Sequence, residues 1–224
     1  MRAVNAMNRE WSEMNKTMQM QLKKEDTFQQ GISSLLLLRD HLMQVLYALR
    51  CDLSRDDFNA IPYIHADGCH STTVAWSLWH VFRIEDIVAH TLICGDQQVF
   101  FAENYKARMH APIITTGNEL DKSEIADFSR VLDLDELYSY MTDVRQSTEQ
   151  LLNNLTFDML KHNIPSTQKA ELFSLHVVSE EAQAAWLTDY WCGKNIRGLI
   201  QMPFSRHWIM HTEAALRIQK KLHS

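Results

Sequence analysis

The chain has 224 residues, 46% of them hydrophobic and 22% charged, enough for one well-cored domain and too few for two large ones. Six Gly and four Pro fall well below the roughly 12% that average usage gives the pair, which disfavours β-sandwiches and Gly-rich nucleotide folds and favours long helices. The net charge of −6 offers no footprint for nucleic acid, and the longest aliphatic run, Leu35 to Leu38, is far too short to cross a bilayer.

The start, MRAVNAMNREW, lacks the apolar centre of a secretion signal. Cys51, Cys69, Cys94 and Cys192 are scattered without a C-x-x-C pair, so a reduced, cytoplasmic compartment is expected, with the thiols acting as small hydrophobes. The Met-rich start (Met1, Met7, Met14, Met18, Met20) reads as adaptable packing, with copper handling as its alternative.

Over residues 8–24, Trp11, Met14, Met18 and Leu22 recur at helical spacing and predict an amphipathic helix ahead of the main body. Thr27 and Gln30 read as a capping box. They lead into a helix of about 27–53 carrying Ile32, Leu35, Leu36, Leu42, Val45, Leu46 and Leu49. Residues 54–70 read as a loop. A second core helix spans about 71–94 and stops at Gly95, a natural left-handed cap.

The stretch 96–131 is mixed: VFFAENY is loop or short helix, IITT leans to β, and DKSEIADFSRV gives a turn or two of helix. Asp133 and Glu136 open a third core helix, about 133–155. Within 156–201 two short helices are expected, near 168–177 and from Ser179 to Cys192. Pro203 suits the first position of a last helix running to about Leu222. Four long amphipathic helices with polar connections predict an all-α fold, a four-helix bundle with an N-terminal helical extension and a helical insertion before the last helix. The whole chain is read as one domain.

Chemistry concentrates in two places. On the last helix, His207 and His211 lie four apart, so both rings can reach one ion. They share a stripe with Phe204, Ala214, Ala215 and Ile218, whereas Glu213, Gln219 and Lys220 are read as the wet side. Two buried imidazoles need partners. A shared metal supplies one for both, and separate bonds to buried carbonyls or carboxylates are the alternative. Trp208 stands where an H-E-x-x-H protease has its Glu, which excludes that mechanism. On the second helix, apolar around most of its circumference, His80 lies on one face with Trp76, Ile84 and Ile87. It is a ligand or a satisfied core histidine. Arg83, Asp86 and His90 read as a salt-bridged rim. His65, Asp67, Cys69 and His70 form a solvated loop or a further ligand at the mouth of a site. His162 and His176 fall in a segment without clear pattern. Walker loops, G-x-S-x-G elbows and Gly-rich dinucleotide turns are absent from the sequence.

The run WSLWHVFRIEDIVAHTLICG, with the preceding HADGCHSTT and the late HWIMH, resembles the DinB-like superfamily of metal-binding four-helix bundles. The resemblance covers about 25–95 and 203–222, and the third core helix only in general pattern. It implies a three-histidine centre whose matching positions are His80, His207 and His211. Such a set leaves coordination sites open and suits Zn or Ni over Mg or Ca. Relatives in that superfamily include thiol-dependent S-transferases and the N-terminal domains of mycothiol-dependent maleylpyruvate isomerases. The resemblance therefore implies a metal-dependent transferase or hydrolase acting on a small molecule, with a low-molecular-weight thiol as cosubstrate; a homodimer is a separate expectation, with 156–201 and the amphipathic N-terminal stretch as partner or dimer surfaces. The alternative is a non-enzymatic interaction or sensor protein that retains the bundle. Neither a nucleic-acid nor a membrane partner is expected.

Overall fold

The computed structural model describes residues 2–66 and 68–224. Met1 and Asp67, and the side chains of Arg2, Ala3 and Cys69, lie outside the described residues. In chain order the α-helices are α1 (Arg2–Gln21), α2 (Phe28–Asp52), α3 (Arg55–Asn59), α4 (Val74–Asp86), α5 (Val99–Ala102), α6 (Tyr105–Arg108), α7 (Lys122–Val131), α8 (Leu134–Asn154), α9 (Ser166–Ser174), α10 (Ala182–Cys192), α11 (Ile196–Gln201) and α12 (His207–Leu222). The described residues form no strand, only an isolated antiparallel bridge between Asn163 and Asn195. The fold is all-α. No helix among the described residues is long and apolar enough to cross a membrane.

Most elements start where local chemistry dictates. Asp133 caps α8 by accepting from the amides of Asp135 and Glu136, and Gly95 ends the second core helix at φ 70°. Thr27 is no cap: its hydroxyl donates to the carbonyl of Gln21 in the tight connection from α1. The supposed loop after α2 contains α3, opened by a capping box of Ser54 and Asp57. The β-leaning IITT takes no regular structure, while VFFA and the 122–131 stretch are helical.

Two helices change pitch. Beyond Asp86 the α4 helix continues as a π-helix over Ile87–Cys94, and a second π-turn, Met202–Arg206, runs into α12. Pro203 thus falls inside a π-turn and does not begin a regular helix.

Helices α2, α4, α8 and α12 pack on one another, and α1 lies against both α2 and α12. Their buried faces form two apolar clusters. One gathers Leu42, Leu46, Trp79, Phe82, Tyr140 and Trp208; the other gathers Leu35, Ile87, Leu152, Trp191, Leu199 and Phe204. Residues 163–195 leave and return at one point, held by the Asn163–Asn195 bridge and by the Ile196 amide donating to the His162 carbonyl at 3.0 Å. The three cysteines described, Cys51, Cys94 and Cys192, are exposed or half-buried rather than core hydrophobes.

Candidate metal centre

Helix α4 is buried along its whole length, so its few polar side chains must find partners inside the protein. Three of them, spaced i, i+4 and i+7, find the same loop. Trp76 Nε1 donates to the Gly117 carbonyl at 3.2 Å, His80 Nδ1 to Thr116 O at 2.8 Å, and Arg83 Nε to Ile114 O at 3.0 Å. A carbonyl only accepts, so the bond to Thr116 places the proton of His80 on Nδ1 and leaves Nε2 as a lone pair. Trp76 stacks on the same ring, centroids 4.4 Å apart.

Across from α4, α12 presents His207 and His211. Ring centroids are 4.9 Å apart for His80 and His207, 5.0 Å for His80 and His211, and 4.6 Å for the pair on α12. One ligand atom from each lies within 4.8 Å of the others. All three rings are buried, at 4% to 7% exposure. Burial holds His80 down to about 4, below its ordinary value. Burial first, and then the neighbouring imidazoles, hold His207 and His211 well below the ordinary range. All three rings are therefore neutral at pH 7, the form in which imidazole binds a metal.

The three side chains could together hold a metal ion. Nδ1 of His207 and of His211 is buried without a hydrogen-bond partner, a costly arrangement unless something else takes the lone pair or proton. His80 carries the carbonyl contact that commonly orients a ligating histidine. Separate bonds to buried carbonyls, the alternative for the α12 pair, are not made through these two atoms.

The three rings line one cleft of about 1360 Å³. Its walls combine Trp76 and Ile84 of α4 with Trp186, Leu187, Tyr190 and Trp191 of α10, so the cleft follows the seam between the two apolar clusters. Trp208 does not enter it; its indole turns the other way and donates to Glu85 at 2.6 Å.

Other sequence-based expectations resolve differently. Glu213 is not on a wet face: it is 7% exposed and pairs with His70 at 3.2 Å and with Arg217. His70 belongs to the 3-10 turn Gly68–Ser71, which packs on α12, as α1 also does. Arg83 and Asp86 are fully buried and not a rim; Arg83 also bonds Gln98, and Asp86 accepts from the amides of Val99 and Phe100. His90 bridges Asp96 and Ser147 at 2.7 and 2.9 Å. His65, His162 and His176 are exposed and line none of this cleft. The carbonyls of 114–117 are not legible in the sequence, because backbone acceptors carry no residue signature. The available signal was the i, i+4, i+7 spacing of donors on an otherwise apolar helix.

No protein-family model matches the chain, and a search of curated proteins finds no significant match.

Proposed function

We propose that His80, His207 and His211 hold one divalent transition metal, Zn or Ni, in a DinB-like four-helix bundle formed by α2, α4, α8 and α12. In this reading the protein is a metal-dependent transferase or hydrolase acting on a small molecule. The observation that carries the reading is the convergence of three neutral, buried imidazoles, two with unpartnered ring nitrogens, on the wall of an open cleft. A structural zinc site is closed by four protein ligands, whereas three ligands beside a cleft leave room for a reactant.

The chain's own residues do the positioning. Thr116 fixes the tautomer and heading of His80, and Trp76 restricts the ring by stacking. The i, i+4 spacing fixes His207 and His211 relative to each other. The apolar walls beside the rings lower the local polarity and so raise the weight of charge interactions there. Held there, a divalent ion would lower the pKa of a bound water or thiol towards neutrality and so supply a nucleophile.

The test is metal content in protein purified without a nickel column, with the triple His80→Ala, His207→Ala, His211→Ala variant as control. We expect close to one equivalent of transition metal in the wild type and none in the variant. At a hundred times its dissociation constant the ion adds about 2.7 kcal/mol of stability, so the melting temperature rises measurably on adding zinc. Less than a tenth of an equivalent, with no thermal shift on adding zinc or nickel, overturns the proposal.

A further inference from the structure

We infer that the cleft takes an uncharged, mainly apolar small molecule bearing a single metal-seeking donor group, rather than an anionic or carboxylated cosubstrate. The inference deepens the metal-site reading and rests on it for the donor group.

The first argument is charge. Among the described residues lining the cleft, the charged side chains besides the imidazoles are Asp121 and Lys122. Both are committed elsewhere. The Asp121 carboxylate caps α7, accepting from the amides of Ser123 and Glu124 and from the Ser123 hydroxyl. The Lys122 ammonium donates to the carbonyls of Ile64 and Ala66. No arginine is among the described residues lining the cleft, so away from the imidazoles a phosphate, sulfonate or free carboxylate would lose hydration without a guanidinium to pair with.

The second argument is the α10 wall. Trp186 is 52% exposed, among the largest apolar surfaces left uncovered. Its Nε1 already donates to the Gln183 carbonyl at 2.9 Å, so what it offers the cleft is a ring face and not a free donor. Tyr190 meets it edge-on at 5.9 Å, and Trp191 and Leu187 extend the surface inward towards Ile84. Pockets that bury most of a small ligand combine such apolar walls with a few placed polar groups. Here those groups include the imidazoles, with Asn59, Ser71, Asn118 and Ser123 also on the lining. The segment 163–195, which carries α10, thus acts as the specificity wall of the site.

The experiment uses the full chain, metal-free and zinc-loaded, with tryptophan fluorescence and calorimetry as readouts. The probes are 1-octanol, acetohydroxamic acid, octanohydroxamic acid, and suberic acid monohydroxamate, which is close to octanohydroxamic acid in length but ends in a carboxylate. We expect 1-octanol to quench fluorescence saturably in metal-free and zinc-loaded protein alike, and Trp186→Ala to weaken it about tenfold. On zinc-loaded protein, octanohydroxamic acid should bind about 100-fold tighter than acetohydroxamic acid and at least about 10-fold tighter than the carboxylated probe. Trp186 is exposed and packs little, so its variant folds; Tyr190→Ala gives an independent second check. Saturable octanol binding without any zinc binding would sustain the apolar cleft and refute the metal reading alone. Zinc binding with no octanol binding, no gain from the longer tail, or equal binding of the carboxylated probe overturns the inference alone.

Discussion

Replacing Glu85 with Gln separates charge from shape at the point where three helices meet. Glu85 sits on α4 five residues beyond His80. It accepts two bonds from Arg39 of α2, at 2.9 and 2.8 Å, and one from the indole of Trp208, the neighbour of His207 on α12, at 2.6 Å. Arg39 also lies over the Trp208 ring at 4.4 Å and donates to the Phe204 carbonyl at 3.3 Å. Both charged side chains have no exposed surface. Glu85→Gln leaves the volume unchanged but takes from the buried guanidinium the carboxylate that accepts two of its bonds, leaving it Glu149 at 3.7 Å and the Phe204 carbonyl. Breaking a buried pair from one side costs about 3–5 kcal/mol, a fifth or more of an ordinary domain's stability of about 5–15 kcal/mol. Removing both charges together, as Arg39→Met with Glu85→Leu, should recover most of that loss. What remains is chiefly the orphaned indole N–H, about 1–3 kcal/mol. Urea unfolding of the metal-free protein gives the stabilities, and zinc titration tests whether loosening this junction weakens the histidine site. If Glu85→Gln costs under about 1 kcal/mol, or if the double variant loses the sum of the two single losses, the pair is not what pins α4 to α2 and α12.

Two further outcomes are expected at the same site. His80 is held neutral by burial to about pH 4, while in the unfolded chain it takes up a proton near pH 6.5. Its contribution is therefore complete above pH 6.5 and is lost as pH falls from there towards 4, so metal-free wild type should lose about 2 kcal/mol more than His80→Gln between pH 7 and pH 5; equal losses by urea unfolding would refute it. Gly117 stands at φ 77°, and a Cβ there would meet Trp76 Nε1 at 2.7 Å. Gly117→Ala should cost about 1–2 kcal/mol and weaken zinc binding through the Trp76 stack, whereas Gly95→Ala, equally left-handed but outside the cleft, should cost stability alone. Unchanged zinc affinity in the Gly117 variant would show that the stack does not restrain His80.

How much of the molecule is legible in the chain depends on how far each cause extends along it. Capping is local, so Asp133 and Gly95 stand where their side-chain chemistry puts them. Helical phase is local too, and the stripe Phe204, His207, His211, Ala214, Ala215, Ile218 is buried throughout. An apolar circumference with embedded His80 signalled the depth of α4. Glu213 defeats the same logic because it pairs with His70, 143 positions earlier in the chain. Arg83 and Asp86 look like rim residues in isolation, and become interior only when Gln98 and the amides of Val99 and Phe100 close over them. Such long-range cover leaves no periodic trace in either segment.

The π-turns show why the histidines were nonetheless easy to place. Pro203 has no amide hydrogen to give the carbonyl four residues back, so the chain from α11 cannot enter α12 as a regular helix. Instead Met202 bends to φ −119° and ψ −72°, the Ser205 hydroxyl satisfies the Ile200 carbonyl at 3.1 Å, and the His207 amide reaches back to Met202. A residue is thereby inserted, worth about 100° of rotation in a helix. Phase carried from the buried Leu199 and Ile200 into α12 is therefore displaced by one position, while phase carried from His207 onward is regular. The other distortion, Ile87–Cys94, likewise begins only after Trp76, His80 and Arg83 have been set on a regular turn. Each of the three histidines lies on the undistorted side of its π-segment, so i, i+4 spacing suffices within α12. With α11 packed where it is and a regular turn in place of Met202–Arg206, His207 would rotate by about 100° away from His80. The proline-induced π-turn is thus part of what brings the α12 pair round to face α4.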